Sequence, residues 1–321
     1  MNTIFLDAIQ RNNRQKRPPV WLMRQAGRYL PEYRALRSKH SLRDMFFTPQ
    51  IAADVTLMPI HRFGFDAAII FSDILAIAPA FGCDLDFREG PVVTPEVTRE
   101  NWRFLKEDLS RLDPIAESIM LVKQKLTVPL IGFCGGPYTI ATYLTGDHAR
   151  QWMQADPEEF DHFLEAICSL CIHSLQKQIA AGADVIQIFD SWADQLVGEE
   201  FDRWSLRYLK RIANAVEVPA IVFLRGSSAH WESLSQIKNV CLSLDGTKKM
   251  AEIRRKVNVA LQGNLDPDLL FQPLEIVRKE VRFLLNEMKD DPGFIVNLAH
   301  GVKPHTPLDA VETLVKEVLL S

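Results

Sequence analysis

Two arginines four residues apart form the stretch of this sequence best suited to binding an anion. Arg24 and Arg28 flank Gln25, Ala26 and Gly27, and the small residues among these let the backbone approach a ligand closely. A guanidinium group can grip a carboxylate or a phosphate with two parallel hydrogen bonds. This arginine clamp, Arg24 and Arg28, therefore predicts an anion site. Arginines at this spacing also occur on exposed surfaces, so a solvated loop is the alternative.

Other polar residues stand directly after short apolar runs that predict buried strands. The runs are 65–71, 129–133, 184–189, 219–223, 240–244, 258–262 and 293–297. The residues after them are Ser72–Asp73, Cys134–Tyr138 with Tyr143 beyond, Asp190–Trp192, Arg225–Gly226, Asp245–Gly246, Gly263–Asn264 and His300–Gly301. The carboxyl ends of parallel barrel strands meet at one face, where catalytic sites lie. The set therefore predicts one site, although a single member such as Asp245 could instead cap a helix.

Four of these residues carry side chains suited to hydrogen-bond or proton-transfer chemistry. The His300 imidazole is a candidate proton donor near neutral pH, and Asp73 is a candidate to stabilise positive charge. Tyr143 and Ser191 add hydroxyl groups. The structural alternatives are an Asp73 that caps a helix or forms hydrogen bonds at the core edge, a core Tyr143 with a satisfied hydroxyl and a Ser191 that caps the next helix.

The alternation of apolar runs with helical periodicity predicts the fold. Helical segments are expected at 3–16, from Pro31 onward, and at 49–62, 158–181, 199–215, 247–256, 267–289 and 307–320. Strands that are apolar on both faces belong to parallel sheets covered by helices. We expect an α/β fold, a single (β/α)8 TIM barrel over residues 1–321 with an N-terminal helical and loop extension, and we place the eighth strand within 74–95. A doubly wound sheet would need a glycine-rich phosphate loop, which Ser72-Asp73-Ile74-Leu75 is not.

Composition excludes several classes of partner. The 321 residues include 37 Lys and Arg against 41 Asp and Glu, a net charge of −4, which does not indicate a general surface for nucleic acid or anionic membranes. No window approaches the roughly 18 uninterrupted apolar residues of a membrane span. Five unevenly spaced cysteines argue against a disulfide framework and for a reducing compartment. We therefore expect a cytoplasmic protein that binds its anion through a local cluster of cations.

Two motifs resemble cofactor sites but favour structural interpretations. Cys168-x-x-Cys171-x-His173 has metal-ligand spacing, but it lies within the predicted helix 158–181, where buried structural thiols are expected. The segment Gly132–Gly136 is too short for a nucleotide loop and lacks a following Lys-Ser or Lys-Thr. The sequence thus predicts neither a metal nor a cofactor.

Several segments, in order along the chain, resemble the uroporphyrinogen decarboxylase family. The most specific is 17–32, Arg-Pro-Pro-Val-Trp-Leu-Met-Arg-Gln-Ala-Gly-Arg-Tyr-Leu-Pro-Glu. The others are Phe-Ser-Asp-Ile-Leu at 71–75, Ile-Gly-Phe-Cys-Gly-Gly-Pro-Tyr-Thr at 131–139, Gln-Ile-Phe-Asp-Ser-Trp-Ala at 187–193, Leu-Gln-Gly-Asn-Leu-Asp-Pro at 261–267 and Phe-Ile-Val-Asn-Leu-Ala-His-Gly at 294–301. Three positions depart from the family pattern: Ala299 replaces Gly, Arg225 replaces Lys, and Gly246 after Asp245 replaces Trp.

The resemblance implies a fold, an activity and a set of site residues. It implies a (β/α)8 homodimer with facing active sites and no metal or organic cofactor. The implied reaction converts uroporphyrinogen III to coproporphyrinogen III by removing four acetate carboxyls. The implied catalytic residues are Asp73, Arg24, Arg28, His300 and Tyr143. The implied substrate-binding residues are Arg24, Gln25, Ala26, Gly27, Arg28, Arg37, Asp73, Tyr143, Ser191 and His300.

Two other functions are compatible with this scaffold. Zinc-dependent methyltransferases of the same superfamily would need thiolate and imidazole ligands at the barrel mouth. A non-catalytic tetrapyrrole carrier would need the arginine clamp but not Asp73. The presence of Asp73 favours the enzyme, and the position of Cys168 and Cys171 within a helix disfavours the zinc protein.

Overall fold

The computed structural model describes residues 3–321, and the strands among them form two sheets. They are β1 (Ala68–Ile69), β2 (Asp84–Phe87), β3 (Pro91–Thr94), β4 (Leu130–Gly135), β5 (Val185–Phe189), β6 (Ala220–Phe223), β7 (Val240–Ser243), β8 (Ala260–Leu265) and β9 (Phe294–Leu298). Seven of them form a curled parallel sheet in the order β1-β4-β5-β6-β7-β8-β9. All seven strands predicted from apolar runs are confirmed, because each is buried on both faces, as parallel strands under helices must be.

The eighth strand does not lie within 74–95, so that prediction is wrong. This region contains a 3₁₀ helix (Ile74–Ile77), a short α-helix and the antiparallel pair β2–β3, which forms a separate sheet. The side chains of β2 alternate, with Asp84 and Asp86 exposed and Leu85 buried. An amphipathic strand of this kind suits a hairpin on the protein surface and not a sheet covered on both faces.

A short segment before the arginine clamp is hydrogen-bonded to both edges of the parallel sheet. Val20 forms a parallel bridge with Val296 of β9, where Trp21 N donates to Val296 O at 3.3 Å and Val296 N donates to Pro19 O at 2.9 Å. On the other side, Asp66 N donates to Val20 O at 2.9 Å, two residues before β1. The segment Pro19–Met23 thus lies between β9 and β1, and the clamp follows it.

Side chains inside the sheet hold the same segment. The Trp21 indole Nε1 donates to Gln262 Oε1 of β8 at 2.8 Å, and Gln262 Nε2 donates to Ser243 Oγ of β7 at 3.0 Å. Met23 N donates to Asn297 Oδ1 of β9 at 3.0 Å. These polar side chains are fully buried, and hydrogen bonding offsets the cost of burying them. They fix the position from which the chain enters the clamp.

The α-helices cover the outside of the sheet. They are α1 (Ile4–Ile9), α2 (Pro31–Arg37), α3 (Leu42–Phe47), α4 (Pro49–Phe63), α5 (Ala78–Phe81), α6 (Asp113–Lys123), α7 (Pro137–Leu144), α8 (Ala149–Ala155), α9 (Pro157–Ala180), α10 (Glu199–Phe201), α11 (Arg207–Asn214), α12 (Trp231–Leu234), α13 (Met250–Arg254), α14 (Leu274–Glu287) and α15 (Leu308–Leu319). Within residues 3–321, none of the helices combines the length and apolar character of a membrane span.

Most predicted helices are present with shifted ends. The predicted helix 158–181 is α9, and 307–320 contains α15. The segment 199–215 is helical throughout, with a π-helical turn at Asp202–Leu206 between α10 and α11. The segment 267–289 is divided at Pro273, since proline starts helices but disrupts their interiors. The N-terminal helix ends at Ile9, well before the predicted residue 16.

A buried ion pair anchors the segment Pro19–Met23. Arg17 donates from Nη1 and Nη2 to the two Asp66 oxygens at 2.7 and 2.9 Å, and Val20 N donates to Asp66 Oδ2 at 2.9 Å. Asp66 is only 2% exposed. The carboxylate therefore joins the chain entering β1 to the segment beside it.

We predict that Asp66→Ala destabilises the protein by about 3 kcal/mol or more, because it leaves a largely buried guanidinium and a buried backbone N–H unpaired. Urea unfolding measures this change. The matched control is Glu32→Ala, which removes the partner of Arg62 in a half-exposed two-bond pair and should cost no more than about 1 kcal/mol. Equal losses in the two variants would show that the Asp66 pair is not an anchor.

Candidate active site

The predicted site residues follow the carboxyl ends of the parallel strands, and this end of the sheet is called the mouth below. Arg24 follows the segment Pro19–Met23, Asp73 follows β1, and His300 follows β9. Tyr143 is in α7, after β4, and Ser191 follows β5. Parallel strands in a curled sheet bring these positions to one end of the molecule.

Arg24 is fixed against the loop that carries His300. Its backbone has a left-handed φ of 59°, which is uncommon for a residue with a side chain. The aliphatic part of Arg24 lies directly on Gly301, where a Cβ would collide with the Arg24 Cβ, Cγ and Cδ atoms. Val302 N donates to Met23 O at 2.8 Å. Glycine at 301 is therefore required for the close approach of the two segments.

The Asp73 carboxyl is half-buried, with one oxygen already engaged. Asp73 Oδ1 accepts a hydrogen bond from Leu75 N at 2.8 Å and caps the 3₁₀ helix Ile74–Ile77. Burial raises the pKa of Asp73, while the Leu75 N–H and the positive charge of Arg24 act in the opposite direction. Among residues 3–321, no side chain or backbone group donates to Asp73 Oδ2. The helix-cap alternative is thus correct for one oxygen and leaves the other for a ligand.

His300 lies in a cationic part of the mouth. Burial lowers the pKa of His300 to about 4, and the positive charges of Arg24, Arg225 and Lys303 contribute to the shift. Its ring meets the Phe223 ring edge-on at 5.8 Å. The imidazole is therefore neutral at neutral pH. Arg24 packs on Gly301 next to His300, and its charge also acts on Asp73, so the structure brings these three residues near one another.

Tyr143 and Trp192, which follow β4 and β5, form one wall of the mouth. Their rings meet edge-on at 6.0 Å, and the Arg225 guanidinium lies 5.7 Å from the Trp192 ring centroid. No residue among 3–321 hydrogen-bonds to the Tyr143 or Ser191 hydroxyl. The sequence analysis counted Trp192 and Arg225 among the residues that follow strands, but it assigned neither of them a substrate contact. Their position directly after strand ends was the signal that placed them near the mouth.

A buried carboxylate positions this wall. Asp190 Oδ1 accepts from Thr139 N at 3.1 Å and from Thr139 Oγ1 at 2.7 Å, and Asp190 Oδ2 accepts from Ser205 Oγ. Trp192 N in turn donates to Thr139 Oγ1 at 3.0 Å. Burial raises the pKa of Asp190, while these hydrogen bonds oppose the shift. The network ties the loop bearing Ser191 and Trp192 to α7, which bears Tyr143.

The remaining predicted residues of the N-terminal segment differ in exposure. Arg28 and Arg37, which precede and follow Tyr33 in the sequence, are both exposed. Burial raises the pKa of Tyr33, and the positive charges of Arg37 and Arg28 act in the opposite direction. The Tyr33 ring meets Phe71 edge-on at 5.7 Å, which brings this region beside the loop of Asp73. Arg37 Nη1 donates to His40 O at 2.8 Å.

Gln25 does not present its side chain to the mouth. It is fully buried, donating from Nε2 to Ala67 O at 3.3 Å and accepting at Oε1 from Leu22 N at 3.3 Å. Ala26 and Gly27 are half-buried. The Gln25 side chain thus supports the loop from below, and a ligand contact from this residue would have to come from its backbone.

Several buried polar atoms around the mouth have no hydrogen-bond partner in the described part of the chain. They are Ser72 Oγ, Gln187 Oε1, Trp192 Nε1, Asp245 Oδ2 and Asn297 Nδ2. Three of these residues follow strands, and the other two lie on strands. Since buried polar groups are normally satisfied, these five atoms are candidates to bind a polar ligand or water.

The other departures from the family pattern are neighbours in space. A Cβ built on Gly246 would lie 3.6 Å from the Ala299 Cβ, so two small residues face one another beside His300. The methyl group of Ala299, where the family has Gly, therefore lies next to Gly246, which has no side chain.

The two cysteines of the Cys168-x-x-Cys171 motif are buried, as predicted. Cys168 and Cys171 are fully buried within α9, whereas His173 is exposed. Burial raises the pKa of Cys168 to about 12. Residues 3–321 contain no group of three or more His, Cys, Asp or Glu side chains placed to hold a metal ion.

Comparison with known proteins places this arrangement in a family. The family model for uroporphyrinogen decarboxylase (URO-D) matches residues 1–319. A uroporphyrinogen decarboxylase from Protochlamydia amoebophila is 44% identical over 99% of this chain and 91% of its own length. One from a Chelativorans species is 42% identical over 94% of each chain. Among solved structures, a methyltransferase from Methanosarcina mazei has a TM-score of 0.84 at 20% identity, covering 98% of this chain and 97% of its own, which establishes a shared fold.

The similarity extends over nearly the whole chain and includes both the arginine clamp and the segment of His300. At this identity and coverage, the chain belongs to the uroporphyrinogen decarboxylase family.

Proposed function

We propose that this chain decarboxylates uroporphyrinogen III, converting its four acetate arms to methyl groups and yielding coproporphyrinogen III for haem and related tetrapyrrole biosynthesis. The reaction needs no metal or organic cofactor in this proposal. The observation that carries it is the location of Arg24, whose stem packs on Gly301 beside His300 and whose charge acts on both Asp73 and His300. Membership of the family supplies the identity of the substrate.

Substrate binding depends on the unpaired cations at the mouth. Neither Arg24 nor Arg28 has an ion-pair partner among residues 3–321, although the chain as a whole carries a net charge of −4. A macrocycle with eight carboxylate arms supplies the missing anions, and each charge-assisted hydrogen bond contributes on the order of 1.5 to 3 kcal/mol. Arg37 extends the cationic surface, while Tyr143, Ser191 and neutral His300 donate hydrogen bonds to further carboxylates.

Asp73 supplies the electrostatic stabilisation on which the reaction depends. Its unengaged oxygen accepts hydrogen bonds from the pyrrole N–H groups of the bound ring. Protonation of a pyrrole carbon makes that ring cationic, and the negative charge of Asp73 stabilises this intermediate more than the neutral ground state. Stabilisation that grows toward the transition state is what accelerates a reaction.

Each decarboxylation then balances without an external electron acceptor. The bond between the arm's methylene carbon and its carboxylate breaks, carbon dioxide leaves, and the electron pair enters the protonated pyrrole. A proton is then added to the methylene carbon to give a methyl group, and the ring proton is released. The net change for each arm is the replacement of one carboxylate by one hydrogen. Arg24 can orient a reacting acetate, but a guanidinium group is a very weak acid and a poor proton donor.

We further propose that the curled sheet closes as a (β/α)8 barrel, one domain over residues 1–321, with the segment Pro19–Met23 as its eighth strand. The hydrogen bonds from this segment to Val296 on one side and to Asp66 on the other support closure. In this arrangement the arginine clamp follows a barrel strand, just as Asp73 and His300 do.

The assembly and location are proposals that follow from the family. We propose a cytoplasmic homodimer with the two mouths facing one another. Val197, in the loop after β5 at the mouth, is 70% exposed and gives this end an apolar group for such a contact. The five buried free cysteines suit a reducing compartment.

The proposed function is tested by incubating the purified protein with uroporphyrinogen III under anaerobic, reducing conditions and counting the carboxyls on the products. Stepwise loss of four carboxyls supports the proposal. Binding of the tetrapyrrole with all eight carboxyls retained would identify a carrier. Stoichiometric zinc in the purified protein, with no carboxyl loss, would favour a methyltransferase.

We predict that Asp73→Asn retains the fold and lowers kcat by about 100-fold or more, because it removes the negative charge beneath the ring. The asparagine amide oxygen can still accept from Leu75 N, so the helix cap should survive. Circular dichroism and steady-state turnover measure the two effects. Near-normal decarboxylation by a folded variant would rule out charge stabilisation by Asp73.

We predict that Arg24→Gln raises KM for uroporphyrinogen by about tenfold or more, through the loss of charge-assisted hydrogen bonds. Initial rates over a range of substrate concentrations measure this change. The matched control is Arg14→Gln, an exposed arginine before the segment Pro19–Met23, for which KM should not change. The clamp hypothesis would be wrong if both variants bound and processed substrate normally.

We predict that the His300 imidazole titrates near pH 4 in the folded protein and at a higher pH in Arg24→Gln. Between the unperturbed value of about 6.5 and the folded value, the unfolded chain binds a proton that the folded chain does not. The stability contributed by neutral His300 is therefore complete above pH 6.5 and is lost as the pH falls toward 4. Histidine NMR titration measures the pKa, and an unperturbed value in the wild type would contradict the cationic mouth.

A further inference from the structure

Arg225 lies across the mouth from the arginine clamp. It follows β6, which is the fourth of the seven strands in the order β1-β4-β5-β6-β7-β8-β9. The clamp follows the segment Pro19–Met23, which is hydrogen-bonded to β9 and to the chain entering β1, at the two ends of that order. In a curled sheet the middle strand faces the place where the edges meet. Arg225 and Arg24 therefore approach the mouth from opposite sides.

The Arg225 guanidinium is oriented but not neutralised. It lies 5.7 Å from the Trp192 ring centroid, within the range of a cation–π contact. The side chain is exposed, and no carboxylate or hydrogen-bond acceptor among residues 3–321 engages it. An arginine held by an aromatic face keeps its planar N–H donors available for a carboxylate. The Asp190 network holds the backbone N–H of Trp192 and so fixes the loop that bears this ring.

The strand that bears Arg225 also reaches His300. Phe223, two residues before Arg225, meets the His300 ring edge-on at 5.8 Å. The charged groups acting on His300 are Arg24, Arg225 and Lys303. Lys303 already has a carboxylate partner in Asp268. This leaves Arg24 and Arg225 as unpaired cations that act on one imidazole from opposite sides of the mouth.

We propose that Arg225 binds a carboxylate arm of the tetrapyrrole on the side of the mouth opposite to Arg24 and Arg28. This inference rests on the proposed function and deepens it by assigning a second grip to the same site. Carboxylates surround the macrocycle, so cations on one side alone would leave the ring free to tilt away from Asp73. Arg225, on the far side of the mouth, prevents the macrocycle from tilting away from Asp73.

The test compares Arg225→Gln, Arg225→Lys and wild type in anaerobic turnover of uroporphyrinogen. Because Arg225 contacts the intact substrate and all later intermediates, the Gln variant should raise KM by about tenfold, as expected for one lost charge-assisted contact, with kcat changed by less than about threefold. The Lys variant keeps the charge and should recover most of the affinity. The matched control is Arg255→Gln. Arg255 is exposed, has no ion-pair partner among residues 3–321, and lies between α13 and β8 at the opposite end of the sheet.

The possible outcomes separate this inference from the proposed function. Loss of affinity in Arg225→Gln, with recovery in Arg225→Lys and no change in Arg255→Gln, supports it. An unchanged KM in a folded Arg225→Gln variant overturns it, as does a loss confined to kcat or an equal loss in Arg255→Gln. Failure of the wild type to remove carboxyls would instead overturn the proposed function.

The pH profile supplies a readout that a merely structural role would not move. Removing the Arg225 charge should raise the pKa of His300 from about 4 toward its ordinary value, whereas Arg225→Lys should leave it low. Arg24 and Lys303 remain in both variants, so the shift should be partial. Equal His300 pKa values in the wild type and the Gln variant would place Arg225 too far from the mouth to bind substrate.

Discussion

The hydrogen bonding of one short segment to both edges of the parallel sheet is the constraint on which the site depends. Val20 is paired with Val296, its carbonyl accepts from Asp66 N, and the Asp66 carboxylate binds both Arg17 and Val20 N. Inside the sheet, Trp21 and Met23 donate to Gln262 and Asn297. The chain then leaves this anchored position as Arg24, whose stem is packed on Gly301. Residues far apart in sequence are thus held together before any ligand binds.

This anchoring places His300 and Asp73 in two different electrostatic environments. Burial, assisted by the positive charges of Arg24, Arg225 and Lys303, lowers the pKa of His300, so in the proposed function the neutral ring offers a hydrogen bond to an anion without adding a further cation. Asp73 is desolvated, which raises its pKa, but the nearby Arg24 favours its charged form. A polyanionic ring that becomes transiently cationic suits both conditions, since its arms need cations and its centre needs an anion. In the proposed function, local cations at the mouth allow a protein with a net negative charge to bind an acidic substrate.

The sequence was most informative where burial determines the pattern. Seven strands could be predicted because each is apolar on both faces, and the rule that functional groups follow parallel strands placed Asp73 and His300 correctly relative to the sheet. Arg24 was singled out only by its spacing from Arg28. The strand-like segment Pro19–Met23 could not be recognised in this way, because two prolines precede a very short apolar run and its structure depends on pairing with residues near the other end of the chain. A search for eight strands therefore misassigned the region of the β2–β3 hairpin.

Side-chain direction was the second property that sequence reasoning could not supply. Gln25 directly follows Arg24 in the sequence, yet its own side chain is buried against Ala67. Trp192 and Arg225 were predicted to follow strands at the site, but the contact between their loops, which come after different strands, could not be predicted from the sequence. A strand-end position indicated that such residues were near the site, but only the fold shows which of them face one another.

The most direct test of this account is the structure of the protein with coproporphyrinogen bound under anaerobic conditions. The account predicts one ring within the mouth, with its pyrrole N–H groups directed at Asp73 and its carboxylate arms meeting Arg24 on one side and Arg225 on the other. A ring bound elsewhere, or bound in the mouth with its N–H groups turned away from Asp73, would contradict the central claim.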